Sequence, residues 1–153
     1  MRISARADYA VRAALFLARS PRDTPMPGES IAAAQQIPAP FLEGILAALR
    51  RAGIVESRRG ANGGYRLAGD ARAISVADVI RAVDGPLVYV RNERPSELEY
   101  PPGDEDLVTL WVALRASVRR VLDDTSLAEL AEGDLPTAVR DLADDPDSWV
   151  SGR

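Results

Sequence analysis

Apolar positions along the chain recur in short amphipathic runs separated by proline and glycine. From Ser4, a residue type that caps helices, to about Ser20, one stripe holds Tyr9, Ala13, Phe16 and Leu17 and another holds Asp8, Arg12 and Arg19, which predicts a packed helix. Residues 21–27 contain three prolines and read as a connection. A short helix is predicted from about Glu29 to Gln36. Ile37-Pro38-Ala39-Pro40 then forbids an uninterrupted helix but suits the first turn of a new one. In that helix Leu42, Ile45, Leu46 and Leu49 recur at i, i+3, i+4 and i+7, and Gly53 supplies a left-handed stop.

After Gly53 the pattern changes. Residues 54–59 and 65–68 read as two short strands joined by Gly60-Ala61-Asn62-Gly63-Gly64, a composition that permits the positive φ values of a tight hairpin. Ser75-Val76-Ala77-Asp78 has the form of a capping box, and Val76, Val79, Ile80 and Val83 make a helical stripe that stops at Gly85-Pro86. Residues 87–103 hold three prolines without period and read as a loop. Asp104, Glu105 and Asp106 favour the start of a long helix whose far half carries Arg115, Arg119 and Arg120. Its apolar positions Leu107, Leu110, Trp111, Leu114, Val118, Val121 and Leu122 repeat near every 3.5 residues, the spacing of a helix lying along a partner helix. A dimer seam is expected there. Docking on the chain's own domain is the alternative, and packing rules alone do not separate the two. Residues 126–130 predict one more helical turn, and the acidic tail, 132–153 apart from Trp149, is expected to be loosely ordered.

The resulting fold class is mainly α with a small β-hairpin. Residues 1–86 form the expected winged helix-turn-helix domain, 87–103 a loop, 104–131 the dimerisation helix with its following turn, and 132–153 the tail. Helix, proline-bearing turn, helix and glycine-tipped hairpin is the order in which a second helix enters the DNA major groove.

A net charge of -4 argues against nucleic acid until it is divided along the chain. Residues 1–72 hold 11 Arg against 6 acids, net +5, whereas residues 73–153 hold 8 Arg against 17 acids, net -9. Arg50, Arg51, Arg58, Arg59 and Arg66 oppose only Glu56 between positions 50 and 66, a positive patch suited to phosphates. Arg58 or Arg59 can instead enter a narrow minor groove. All 19 basic residues are Arg, for which genome base composition is a simpler explanation than selection for bidentate contacts.

Cys and His are absent, which excludes a zinc site, a Cys-ligated iron-sulfur cluster, a disulfide and a Cys/His or Ser/His catalytic pair. Carboxylates, Ser and Tyr form no spaced constellation, so no catalytic residue, metal or cofactor is expected. No apolar run reaches the length of a membrane span and the first residues lack a secretion signal, so a cytoplasmic location is expected.

Residues 37–67, I-P-A-P-F-L-E-G-I-L-A-A-L-R-R-A-G-I-V-E-S-R-R-G-A-N-G-G-Y-R-L, resemble the Rrf-type transcriptional regulators, the family of IscR, NsrR and CymR. Ile3-Ser4-Ala5-Arg6-Ala7-Asp8-Tyr9-Ala10 and Ser126-Leu127-Ala128-Glu129-Leu130 are similar too, so the resemblance covers about residues 1–130. It rests most on R-G-x-x-G-G-Y in its helix context. The resemblance implies a homodimer that exchanges a long helix across its axis and binds an imperfect palindrome on double-stranded DNA. It assigns the recognition-helix start to Pro38, Ala39, Pro40 and Glu43, and the wing contacts to Arg58, Arg59, Asn62, Gly63 and Gly64.

Two departures matter. Relatives often carry hydroxyl side chains at the start of that helix, where this chain has Pro38 and Pro40, so base readout falls to Glu43, Gln35, Gln36 and the wing. Glu43 itself has two open readings, a solvated helix residue or a cytosine contact, while turn geometry accounts for most of Gly63 and Gly64. Cluster-bearing relatives place three Cys in the loop matching 87–103, some adding an acid from the first helix at the position of Asp8. Those Cys are missing here, and Asp8 reads instead as an i,i+4 partner of Arg12.

The sequence therefore predicts a sequence-specific DNA-binding repressor without a cluster. Its effector, a small molecule or a protein, is expected near Tyr89, Arg91, Glu93, Glu97, Tyr100 and Trp111. The alternative from another class is a protein-interaction module that uses the winged helix as scaffold, distinguished by lack of salt-dependent binding to a palindrome.

Overall fold

The computed structural model describes residues 2–150. Helix α1 (Ala5–Arg19) starts on Ser4, whose hydroxyl accepts the Ala7 amide at 2.9 Å. It buries Ala7, Ala10, Ala13, Ala14 and Leu17, and four alanines on one face let the helices over 28–35, 39–51, 76–84 and 127–132 pack around it. Helix α2 (Gly28–Gln35) closes on Gln36 at φ 52°, and Pro38 and Pro40 then open α3 (Ala39–Arg51), which buries Leu42, Ile45, Leu46, Ala48 and Leu49.

Strands β1 (Val55–Arg58) and β2 (Gly64–Leu67) pair antiparallel from Val55↔Leu67 to Arg58↔Gly64. Met26, in the connection after α1, adds a third edge: its amide and carbonyl each bond to Tyr65 at 2.8 Å. Helix α4 (Val76–Asp84) carries the capping box of Ser75 and Asp78. Its start lies against that of α6 (Leu127–Glu132), itself opened by a capping box of Ser126 and Glu129. The two starts are stitched by Val76 N–H to Thr125 C=O and Leu127 N–H to Ile74 C=O, both 2.9 Å. Leu127 is fully buried. The turn expected after the long helix is thus a true helix, part of the DNA-binding domain's own core.

Helix α5 (Asp106–Asp123) buries no residue completely, and its apolar positions meet two kinds of surroundings. Leu122 packs on the core of its own chain and Trp111 bonds to the preceding loop, whereas Leu110 and Leu114 are 54% and 39% exposed. At 100° per residue the seven positions read from the sequence form one band roughly 120° wide, and the two edges of that band meet different surroundings.

The tail also departs from expectation. Helix α7 (Thr137–Asp144) and a 3-10 turn at Pro146–Trp149 follow, held by the Arg140–Asp134 ion pair, Ser148 Oγ on the Leu142 carbonyl at 2.8 Å and Trp149 Nε1 on the Ala143 carbonyl at 2.5 Å. Local bonds suffice to close such a segment despite its acidic composition. Residues 151–153 of the expected loose tail lie outside the described residues. No described helix is long and apolar enough to cross a membrane.

Candidate nucleic-acid interface

Helix α3 turns its buried face to the core, leaving Pro38, Ala39, Pro40, Glu43 and Gly44 exposed in its first half and Arg50 and Arg51 exposed at its end. The outward surface near Gly44 is open, with no atom within 4 Å of where a Cβ would stand. Sequence reasoning missed Gly44, although a glycine inside a strong helical pattern is itself a signal of close approach. It also missed Phe41, which is 59% exposed and meets Tyr9 edge-on with ring centroids 6.3 Å apart. Arg12 lies 5.5 Å from the Tyr9 ring centre, bonds to the Gln35 carbonyl and pairs with Asp8 at 3.4 Å. This cluster fastens α1 to the helix-turn-helix. Gln35 is half-buried, and Gln36 is exposed with its backbone spent on closing α2.

The wing stands beside the end of α3, where Arg50 Nη1 lies 3.3 Å from Ser57 Oγ on β1. Arg58, Arg59 and Asn62 are exposed around its tip. Arg66 leaves the positive patch read from the sequence: it faces Glu56 across the hairpin, with Nε 2.5 Å from Oε1, because register makes them direct cross-strand neighbours. Among the described residues none of Arg50, Arg51, Arg58 and Arg59 has a carboxylate at ion-pair distance.

Crowding explains the paired glycines. A Cβ on Gly63 would stand 2.3 Å from the Arg58 carbonyl oxygen, and one on Gly64, at φ 147°, would stand 2.4 Å from the Met26 carbonyl. Gly64 is what allows the Met26 edge to approach β2.

In the loop over residues 87–103, Arg91 lies over Tyr100 at 5.1 Å, and the Tyr100 hydroxyl accepts Trp111 Nε1 at 3.0 Å. Arg91 and Asn92 take φ values of 53° and 66° in a turn bridged by Val90 and Glu93. Arg91 and Tyr100 thereby fix the loop on α5, while Tyr89 remains exposed.

The chain matches the Rrf2 family, described as iron-dependent transcriptional regulator, over residues 3–133. An HTH-type transcriptional regulator of Mycobacterium tuberculosis is 48% identical over 145 residues, covering 95% of this chain and 90% of that protein. The HTH-type regulator CymR of Bacillus subtilis is 35% identical over 134 residues, covering 86% and 90%. The solved structure of that CymR, described as the global cysteine regulator, superposes with a TM-score of 0.71 over 87% of this chain and 98% of its own.

The iron in the family's description has no suitable ligands here. The sequence supplies neither thiolate nor imidazole, Asp8 is paired with Arg12, and Arg91 stacked on Tyr100 occupies the loop where cluster-bearing members have Cys. Among the described residues no three acids converge on a common point. These residues do not fit an iron or iron-sulfur site. The match across most of the sequence, with relatives that are regulators and not enzymes, establishes that the chain belongs to the Rrf2 family of winged-helix, DNA-binding transcriptional regulators.

Proposed function

We propose that this protein is a cytoplasmic homodimeric repressor that binds an imperfect DNA palindrome and works without a cluster. The observation that carries this reading is the group of arginines without carboxylate partners, Arg50, Arg51, Arg58 and Arg59, framing a recognition helix with an open outward face. In this reading Arg50, Arg51 and Arg58 pair with phosphates on each half-site. Glu43 accepts from a cytosine amine, Ala39 and the ring carbons of Pro38 and Pro40 meet thymine methyls, and Gln35 and Gln36 flank the backbone at the end of α2. Arg59 and Asn62 act from the wing, whose shape Gly63 and Gly64 set. Repression needs no more than occupation of the promoter.

The dimer seam runs along α5, centred on the exposed Leu110 and Leu114 with Val121, and flanked by Leu107 and Val118. Trp111 and Leu122 support it from inside their own chain. The loop around Tyr89, Arg91 and Tyr100 is the proposed point of entry for an effector, small molecule or protein, because it rests directly on α5.

Selecting bound genomic fragments and titrating the selected duplex and a scrambled one at several salt concentrations tests the reading. Three phosphate contacts per half-site, six per dimer, predict a slope of log affinity against log salt of about -5. Equal affinity for both duplexes, or a slope near zero, would leave the interaction-module reading standing. Leu114→Asp is expected to weaken operator binding by uncoupling the half-sites.

A further inference from the structure

The recognition helix ends in a turn that brings hydrogen-bond donors from two elements to one place. Helix α3 stops at Ala52, the Gly53 amide bonds to the Arg50 carbonyl with Gly53 at φ 73°, and the Ile54 amide bonds to the Leu49 carbonyl, both at 3.0 Å. The chain thus passes from helix to strand within a few residues. Strand β1 begins beside the last turn of α3, and Arg50 Nη1 comes to lie 3.3 Å from Ser57 Oγ. Successive strand residues point to opposite sides. Glu56 meets Arg66 across the hairpin and neutralises it, whereas Ser57 meets Arg50 and leaves its charge uncompensated.

Donors remain unspent in this contact. The guanidinium donates and the hydroxyl oxygen accepts, so the Ser57 proton is not used by Arg50. Among the described residues that proton has no acceptor, and Arg50 has no carboxylate at ion-pair distance. A guanidinium also carries more N–H groups than one contact consumes. Accepting from a cation polarises the hydroxyl and makes it a better donor. Both residues are exposed. An exposed cation and a neutral donor within hydrogen-bond distance of each other suit the two free oxygens of a phosphodiester. The backbone gives no help there, because the C-terminal end of a helix is its negative end, so side chains must supply the attraction.

We infer that Arg50 and Ser57 together grip one backbone phosphate in each DNA half-site, the guanidinium supplying charge and the Ser57 hydroxyl a second, uncharged donor. The inference rests on the phosphate role proposed above for Arg50 and adds a residue outside the arginine patch. A carboxylate in place of Ser57 would tie up Arg50 as Glu56 ties up Arg66. An alanine would leave the arginine without its anchor on β1, with more side-chain freedom to lose on binding.

The test uses full-length wild type, Ser57→Ala, Ser57→Thr, Arg50→Ala and the double variant, titrated against the selected operator and a scrambled duplex over a range of salt. Urea midpoints are measured alongside. Ser57→Ala is expected to weaken binding about three- to tenfold, by the same factor on both duplexes, because phosphates are common to every sequence. Its salt slope and urea midpoint should stay at wild-type values, since no charge and no buried group is lost. Ser57→Thr keeps the hydroxyl on a residue suited to a strand and should restore affinity. Arg50→Ala should reduce the salt slope by about one unit per half-site. In the double variant the loss should fall short of the product of the two single losses, as for two groups on one phosphate. Ser57→Asp, which sets a carboxylate beside Arg50 and the phosphate, should weaken both duplexes more than Arg50→Ala does. Wild-type affinity in Ser57→Ala, a loss confined to the operator, or full multiplication of the two single losses each overturns the shared phosphate and leaves the repressor reading standing. A wild-type salt slope near zero overturns both.

Discussion

Arg81 on α4 holds Asp123 near the end of α5, Nη1 to Oδ1 at 2.7 Å, while Arg119 one turn earlier takes the other carboxylate oxygen at 2.8 Å. A carboxylate at a helix C-terminus faces the negative end of the backbone dipole, and two guanidinium groups more than offset that repulsion. The contact also fixes the direction in which α5 leaves the DNA-binding domain. In the proposed dimer that direction sets the separation of the two recognition helices, and with it the half-site spacing that can be bound.

Acid sensitivity follows from the same carboxylate. The hydrogen bond from Arg81, opposed in part by desolvation and aided by the bond from Arg119, holds Asp123 below the usual carboxylate range. Glu129 is shifted the same way by the Ser126 amide and hydroxyl. Below the ordinary pKa of about 4 the unfolded chain binds protons that the folded chain refuses, so the stabilisation is complete above that pH and is lost as pH falls through the depressed folded values. Asp123→Asn is expected to cost on the order of 1 kcal/mol at pH 7 and progressively less below pH 4. Urea midpoints of both proteins at pH 7 and pH 3 check this; a deficit that stays constant with pH would assign the loss to packing.

Gly44 opposes stability to function. It sits inside α3 with helical neighbours and open space where a Cβ would go. Gly44→Ala should therefore raise stability by about 0.5 to 1 kcal/mol, seen as a higher melting temperature. The added methyl projects toward the major groove in the proposed complex, so operator affinity is expected to fall in the same protein. A variant both more stable and equally tight in binding would show that α3 does not approach DNA at this position.

Gly64→Ala should instead lower stability and binding together. Its Cβ would overlap the Met26 carbonyl and its φ of 147° is unfavourable for a side chain, so the Met26–Tyr65 bridge must open. A loss of roughly 2 to 4 kcal/mol is expected, with DNA binding impaired through displacement of the wing. Ala61→Gly, at the exposed tip, serves as the control that leaves the bridge intact.

What the sequence made legible was local. Ser4, Ser75 and Ser126 announce helix starts because their partners lie three residues away, and the proline and glycine punctuation marks the wing and the recognition helix. What escaped was set by distance along the chain. The Met26 edge joins residues 39 positions apart, so nothing near Met26 discloses it. The Arg66–Glu56 pair depends on hairpin register, which removed one arginine from a patch that counting had included. The heptad-like repeat in α5 forms one band whose two edges only the surrounding helices tell apart. Helix α7, eight residues with Val139 and Leu142 as its apolar marks, is too short for periodicity to outweigh its acids.

Arg59 offers the sharpest test of how the wing reads DNA. It directly precedes the Gly60 turn, is exposed, and has no carboxylate partner among the described residues, so its guanidinium is free either to pair with a phosphate or to enter the minor groove. With Arg66 tied to Glu56, phosphate contacts are left to Arg50, Arg51 and Arg58. The prolines at the start of α3 remove hydroxyl donors from the major groove, which raises the demand for sequence readout elsewhere. Groove readout by Arg59 is the expected role. Arg59→Ala should then cost about 1 to 3 kcal/mol on the operator, leave binding to a scrambled duplex nearly unchanged, and relax preference at the base pairs beneath the wing. A phosphate role predicts a different result: equal weakening on both duplexes and a salt slope smaller by about one unit per half-site. Titrations of both proteins against both duplexes over a range of salt separate the two, and equal affinities throughout would remove the wing tip from recognition altogether.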